Sequence, residues 1–300
     1  MALGSYIPEF RRPQSRTVAG ATLRVSAPIL APPAARAIRW WRPSVRYLAA
    51  LGLVAAMLLA TLYWKPWRAR SVLDRFWSPV LESSDPLLLC VSPAKAAWAD
   101  QNAEPSALLD VRSLMYSEAQ HVALADSITL AKVAALLQAR GKPYHIKSQS
   151  SIAFADLTAG PAVLIGGFNN DWTIRLTRQT RYSFEGDVNA DLHWIKDRQN
   201  PARRDWSVDL SVPYMKLTED YAIISRVLDP STDRMVVIAA GVATFGTLST
   251  GEFLTDARVM ENLAKCAPLH WERKNLQVVL TTRLINGSPG PPRIAACYFW

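Results

Sequence analysis

Residues 160–177 read GPAVLIGGFNNDWTIRLT: a short apolar run, two glycines, then the polar opening of a new segment. Residues 162–165 (AVLI) contain nothing polar, the pattern of a strand buried on both faces rather than one half in water. A helix over 171–179 is expected directly after it. Strand, glycine turn and helix in succession are the unit from which layered α/β sheets are built. The same alternation recurs on both sides. Residues 87–91 (LLLCV) read as another buried strand. A helix is expected from Asp126, as its N-cap, through Arg140, with Gly141 ending it and Pro143 preventing continuation. A strand over 144–147 and a short helix over 152–157 fill the interval before residue 162.

Downstream, 182–186, 193–196 and 206–210 are short, polar-alternating strands separated by Asn, Asp and Pro, suggesting an antiparallel insert or edge. Residues 222–228 and 235–240 are again strongly strand-like. A glycine-rich link then leads to a helix over 252–267. Residues 276–285 and 294–299 form a final hairpin around Asn286-Gly287. The expected fold is α/β and layered: a largely parallel sheet with an antiparallel insert, over residues 87–300. The polar stretch 92–125 is long for a loop in a compact domain.

Upstream the chain changes character. Residues 47–63 (YLAALGLVAAMLLATLY) are seventeen residues without a charge. About seventeen to twenty-five apolar residues cross a hydrocarbon core of roughly 30 Å. Arg46 precedes the run, Trp64-Lys65-Pro66-Trp67-Arg68 follows it, and Trp40 and Trp41 lie just before, as at a membrane interface. A transmembrane helix over 47–64 is therefore expected. A cleaved signal peptide fits less well, because the region before the run is too long and bulky residues stand where a small-residue cleavage site would be. Residues 1–46, rich in Arg and Pro with little to bury, read as a disordered basic tail. Residues 65–86 read as a juxtamembrane connector, with a short amphipathic helix over 71–77 ended by Pro79.

Charge follows the same division. The chain's net charge is +9, but 12 of its 34 basic and 2 of its 25 acidic residues fall in 1–80. The remaining 22 basic and 23 acidic residues leave 81–300 at a net of −1. No nucleic-acid partner is expected, since a domain that binds that backbone keeps its positive charge on the folded face. Eight arginines, Arg11, Arg12, Arg16, Arg24, Arg36, Arg39, Arg42 and Arg46, precede the apolar run. By the positive-inside rule they place the N-terminus in the cytoplasm and the C-terminal domain outside it, in a bacterial inner membrane. The lipid bilayer is thus one expected partner.

Two strand–helix junctions carry the candidate ligand-binding residues. At the first, Gly166 and Gly167 let backbone approach a ligand, and Asn169, Asn170 and Asp171 offer amide and carboxylate groups near free helix amides. The competing reading is a plain turn with Asp171 as N-cap. At the second, Gly241, Gly246 and Gly251 recur every five residues among Thr244, Thr247, Ser249 and Thr250. Gly241, Thr244, Gly246 and Thr247 can wrap a small polar ligand, or Thr250 can simply cap the next helix. Neither junction matches a dinucleotide or P-loop motif.

Catalytic patterns are absent from the sequence. His121, His145, His193 and His270 lie in unrelated segments, with no HExxH and no paired spacing for a metal, and there is no GxSxG. No cofactor and no metal site is expected. Arg203-Arg204-Asp205 reads as a charged turn. Among the three cysteines, a Cys266–Cys297 bridge is open if the domain is exported, while three buried thiols, Cys90 included, are the simpler reading.

The runs DSITLAKVAALLQARGKPY, FADLTAGPAVLIGGFNNDWTIRLT, DRQNPARRDW, KLTEDYAIISRVLDP and GEFLTDARVMENLA together resemble an uncharacterised bacterial membrane-anchored family. In that family a similar C-terminal domain often follows a transmembrane helix, sometimes behind an N-terminal winged-helix DNA-binding domain. The resemblance covers about residues 77–300 and implies no activity or catalytic residues. The 46 residues before the apolar run are too few for a winged helix, so a sensory or partner-binding half is what it implies here. The expectation is a single-pass anchored protein whose extracytoplasmic domain binds a small polar or anionic ligand, or an envelope protein partner. The alternatives are a membrane-proximal transferase or hydrolase using Asp171 with His193 or Glu252, and a structural component of an envelope complex.

Overall fold

The computed structural model describes residues 45–64, 71–93, 121–187 and 189–300. The basic tail up to residue 44, connector residues 65–70 and the stretch 94–120 lie outside the described residues. The chain divides into two compact units, Met1–Pro66 and Trp67–Trp300.

In the first unit, helix α1 spans Val45–Trp64, 20 residues. Leu48, Leu51, Leu53, Val54, Met57 and Leu59 are all exposed on it. Among the described residues no helix is long and apolar enough to cross a membrane. Seven side chains of α1, at positions 45, 46, 58 and 61–64, are outside that description.

The second unit begins with helix α2 (Val72–Leu81) and strand β1 (Leu87–Val91). Helix α3 (Leu124–Ala139), strand β2 (Tyr144–Ser148), the short helix α4 (Phe154–Thr158) and strand β3 (Ala162–Ile165) follow. Next come α5 (Asp171–Thr177), β4 (Tyr182–Asp187), β5 (Leu192–Asp197) and β6 (Ser207–Asp209). Strands β7 (Glu219–Asp229) and β8 (Arg234–Gly241) lead to helices α6 (Thr244–Thr255) and α7 (Ala257–Met260). Strands β9 (Leu276–Ile285), β10 (Ser288–Pro289) and β11 (Arg293–Phe299) complete the chain.

The central sheet runs β10-β9-β7-β8-β3-β1-β2, with β11 also on β9. From β2 to β8 the pairings are parallel, and β7, β9 and β11 extend the sheet antiparallel. Strands β4, β5 and β6 form a separate antiparallel sheet, the expected insert. The class is mixed α/β, as the sequence indicates. The buried strands are apolar throughout because each feeds two cores. Leu87, Leu89, Val163 and Ile165 face one with α2, α3 and α6, while Leu88, Cys90, Ala162 and Leu164 face the other with the small sheet.

Four expectations are corrected. Helix α2 belongs to the core: Val72, Leu73, Phe76, Trp77 and Val80 are buried there, Trp77 Nε1 donates to Leu254 O at 2.9 Å, and the helix continues through Pro79 to Leu81. Helix α3 starts before Asp126, with Ala123 at the cap, because the Asp126 carboxylate turns sideways to accept from Asn169 Nδ2. The glycine-rich link at 241–251 is largely helix α6, which ends near where a helix was expected to begin. Cys266 and Cys297 are joined by a disulfide, leaving Cys90 as the free, buried thiol.

Candidate functional site

The two glycine junctions lie side by side because β3 and β8 are parallel neighbours, with Ile165 opposite Ala239. A Cβ on Gly167 would stand 2.3 Å from Gly241 O, so these glycines serve close backbone approach. Gly166 holds φ +107°, which L side chains rarely adopt. From there the chain turns its asparagines inward. Asn170 is fully buried. Its Oδ1 accepts from Trp172 N and Thr173 N, and its Nδ2 donates to Ile165 O. Asn170, not Asp171, is therefore the N-cap of α5. Asn169 is spent on Asp126, whose carboxyl burial pushes above its ordinary range. Asp171 is exposed and held by Gln149: Gln149 Nε2 donates to Asp171 Oδ2, and Asp171 N donates to Gln149 Oε1.

The second junction is committed more completely. Gly246 and Thr247 are buried inside α6, and the Thr247 hydroxyl accepts from Gly241 N. The amides at the helix start are taken by Asp220 on β7, a fully buried carboxylate that accepts from Ala243 N and Gly246 N. Burial pushes Asp220 up to about 6, against the pull of the backbone amides that point at it. A carboxylate of the protein thus occupies the place an anionic ligand would take at that terminus. Of the four residues expected there, only Thr244 is exposed.

Beside the first junction lies a cleft of about 700 Å3 between α5 and the small sheet. Phe168, Asp171, Ile174 and Arg178 form one wall. Residues 183–186 of β4, with Lys196, Arg198 and Pro201, form the other. Asp171 is the one residue of the expected set that lines it. Lys196 pairs with Glu185, whereas Arg178 and Arg198 are exposed and meet no carboxylate among the described residues. Arg175, in the last turn of α5 before its C-cap Arg178, lies over the Trp172 ring at 5.4 Å. His193 stands behind the cleft, edge-on to Phe168 with ring centroids 4.4 Å apart. Burial lowers its pKa, against the opposing pull of Asp191.

Sequence reading missed Arg178, Lys196 and Arg198. Arg178 stands at the C-cap of α5 and Arg198 just after β5, two residues from Lys196, so the ends of those two elements were the signal available. His193 is not among the residues lining the cleft, and Glu252 sits on α6, which does not line it either. No group of His, Cys, Asp and Glu that could hold a metal occurs among the described residues. Among the described residues the arrangement offers cationic and aromatic contacts to a ligand. No model of a known protein family matches the chain, and no curated protein matches it.

Proposed function

We propose that the protein is a single-pass, membrane-anchored, sensor-like binding protein, with its α/β domain outside the cytoplasm and an anionic ligand seated in the cleft beside α5. The observation that carries the ligand reading is the pair of guanidinium groups, Arg178 and Arg198, which stand on the rim of a 700 Å3 cleft and meet no carboxylate among the described residues. Such a volume suits a small ligand. The surrounding residues 81–300 carry a net charge of −1, so this excess is local rather than a property of the whole surface. Arginine presents a planar fork that matches carboxylate and other oxyanions.

Two observations support the compartment. The sequence run 47–63 has no charge and is flanked by Trp, Lys and Arg, which supports the anchor although no helix among the described residues is long and apolar enough to cross a membrane. The Cys266–Cys297 disulfide belongs to oxidising surroundings, which the bacterial cytoplasm is not.

The test uses the full-length chain in detergent, screened by thermal shift against carboxylates, phosphates, sulfate, amino acids and neutral sugars. A ligand at a hundred times its dissociation constant stabilises by about 2.7 kcal/mol. Stabilisation by anions that disappears in Arg178→Ala and in Arg198→Ala is expected. No shift with any anion overturns the reading. Protease treatment of spheroplasts tests the topology: degradation of the α/β domain is expected, and full protection overturns the extracytoplasmic placement.

A further inference from the structure

The cleft is not isolated. A second hollow of about 390 Å3 shares Arg198 with it. A third of about 280 Å3 shares Gln179, Thr180 and Trp300 with the second. The three form a chain of hollows from Phe168 to the end of β11. The second is built around an aromatic stack, Tyr298 and Trp300, with ring centroids 5.2 Å apart and planes at 21°. Trp300 is 40% exposed. Around that stack stand Gln179, Gln199, Thr180 and Arg181. Arg181 is fixed in place: its Nε and one terminal nitrogen pair with both oxygens of Asp197, and its plane lies over Tyr182 and Tyr298.

We propose that the ligand is an acidic saccharide of at least two rings, its carboxylate between Arg178 and Arg198 and a neighbouring ring laid against Trp300. This rests on the cleft reading above and names its ligand class. With the Thr180 hydroxyl taken up by Thr177 O, Tyr182 O and Gln277 Nε2, one flat aromatic face flanked by the planar amides of Gln179 and Gln199 suits a sugar. Its C–H face packs on the ring while its hydroxyls take several donors and acceptors at once. A purine or pyrimidine has few such groups and gains most from apolar walls on both sides, which this hollow lacks. A phosphate would be expected to use helix-start amides. On α5 those of Trp172 and Thr173 are taken by Asn170, and that of Asp171 by Gln149. The arginine forks accept either oxyanion, so the choice of a carboxylate rests on the sugar-like hollow beside them. Because the first two hollows share Arg198, one extended ligand can reach both.

The experiment is calorimetric titration of the full-length chain in detergent with galacturonate, trigalacturonate, galactotriose, acetate and AMP. It is run on the wild type, Arg198→Ala and Trp300→Ala, each checked by circular dichroism. Trigalacturonate is expected to bind at least tenfold more tightly than galacturonate, and galactotriose at least tenfold more weakly than trigalacturonate. Trp300→Ala should weaken trigalacturonate about tenfold while leaving acetate and galacturonate within about twofold. Arg198→Ala should weaken every acid. Equal binding of galactotriose, or tighter binding of AMP, overturns the saccharide assignment. If acids bind but trigalacturonate gains nothing over galacturonate and is indifferent to Trp300, this inference falls and the cleft reading stands. If no acid binds at all, the cleft reading falls with it.

Discussion

Arg226, together with the Ser78 hydroxyl that donates at 3.2 Å, serves the carbonyl that Pro79 cannot. Pro79 lies inside α2 and has no N–H, so the carbonyl of Arg75, four residues earlier, lacks its helical donor. The guanidinium of Arg226, fully buried on β7, reaches Arg75 O at 3.3 Å and Phe76 O at 2.8 Å. Its other terminal nitrogen donates to the carbonyls of Trp271, Glu272 and Lys274 at 2.8–3.0 Å. Phe76 and Trp271 each lie 5.4 Å from its central carbon. Burial lowers its pKa to about 10, so it stays charged at neutral pH.

Arg226→Met should therefore cost about 3–5 kcal/mol, measured by urea denaturation, because five carbonyls lose a donor in the interior. Pro79→Ala should recover about 0.5 kcal/mol of that loss, since it returns an N–H to the Arg75 carbonyl, which otherwise keeps only the Ser78 hydroxyl. An additive double mutant would show that the two residues are not coupled in this way.

Asp220→Ala should cost about 2–3 kcal/mol, from the amides of Ala243 and Gly246 left unsatisfied at the start of α6. Hydrogen exchange should quicken most at 243–246. A uniform rise across the domain would point instead to a general packing defect.

The Arg181–Asp197 pair gives an acid limb to stability. Its hydrogen bonds to Arg181 hold Asp197 below the ordinary value of 3.8, so the unfolded state binds a proton more readily there. The stabilisation is complete above about pH 4 and is lost as pH falls through the lowered value. Asp197→Asn should flatten stability against pH on that acid side. A coupling of about 2 kcal/mol with Arg181→Gln is expected near neutrality.

Opening the Cys266–Cys297 bridge frees a loop of 31 residues, worth about 3–4 kcal/mol by chain entropy. Cys266→Ser with Cys297→Ser should lower the denaturation midpoint accordingly, and a reducing agent should do the same to the wild type alone. Equal sensitivity of both proteins to the reductant would place the effect elsewhere.

The strands were legible because their signal is local. LLLCV and AVLI can be nothing but doubly buried, and β1 and β3 lie where that pattern put them. The glycine-rich helix α6 was not legible, because Gly and Thr are poor helix formers and a carboxylate more than twenty residues upstream holds its start. Helix α2 was misplaced because amphipathic spacing tells that Leu73, Phe76 and Trp77 share a face, but not whether that face meets lipid or a protein core. At the candidate site, Asp171 is the one residue of the expected set that lines the cleft. Arg178, Lys196 and Arg198 were passed over because the charges that cancel elsewhere in 81–300 fail to cancel only in three dimensions.

The burial of α2 has a mechanical consequence. Tension applied to the chain from the side of residue 71 meets α2 before any strand of the sheet. There it is borne at once by the Trp77–Leu254 bond, the grip of Arg226 on the Arg75 and Phe76 carbonyls, and the Phe76 and Val80 side chains in the core. Bonds loaded together share the pull, whereas bonds loaded one after another open like a zip. A pull from that end must therefore extract a whole helix before the sheet can begin to unravel.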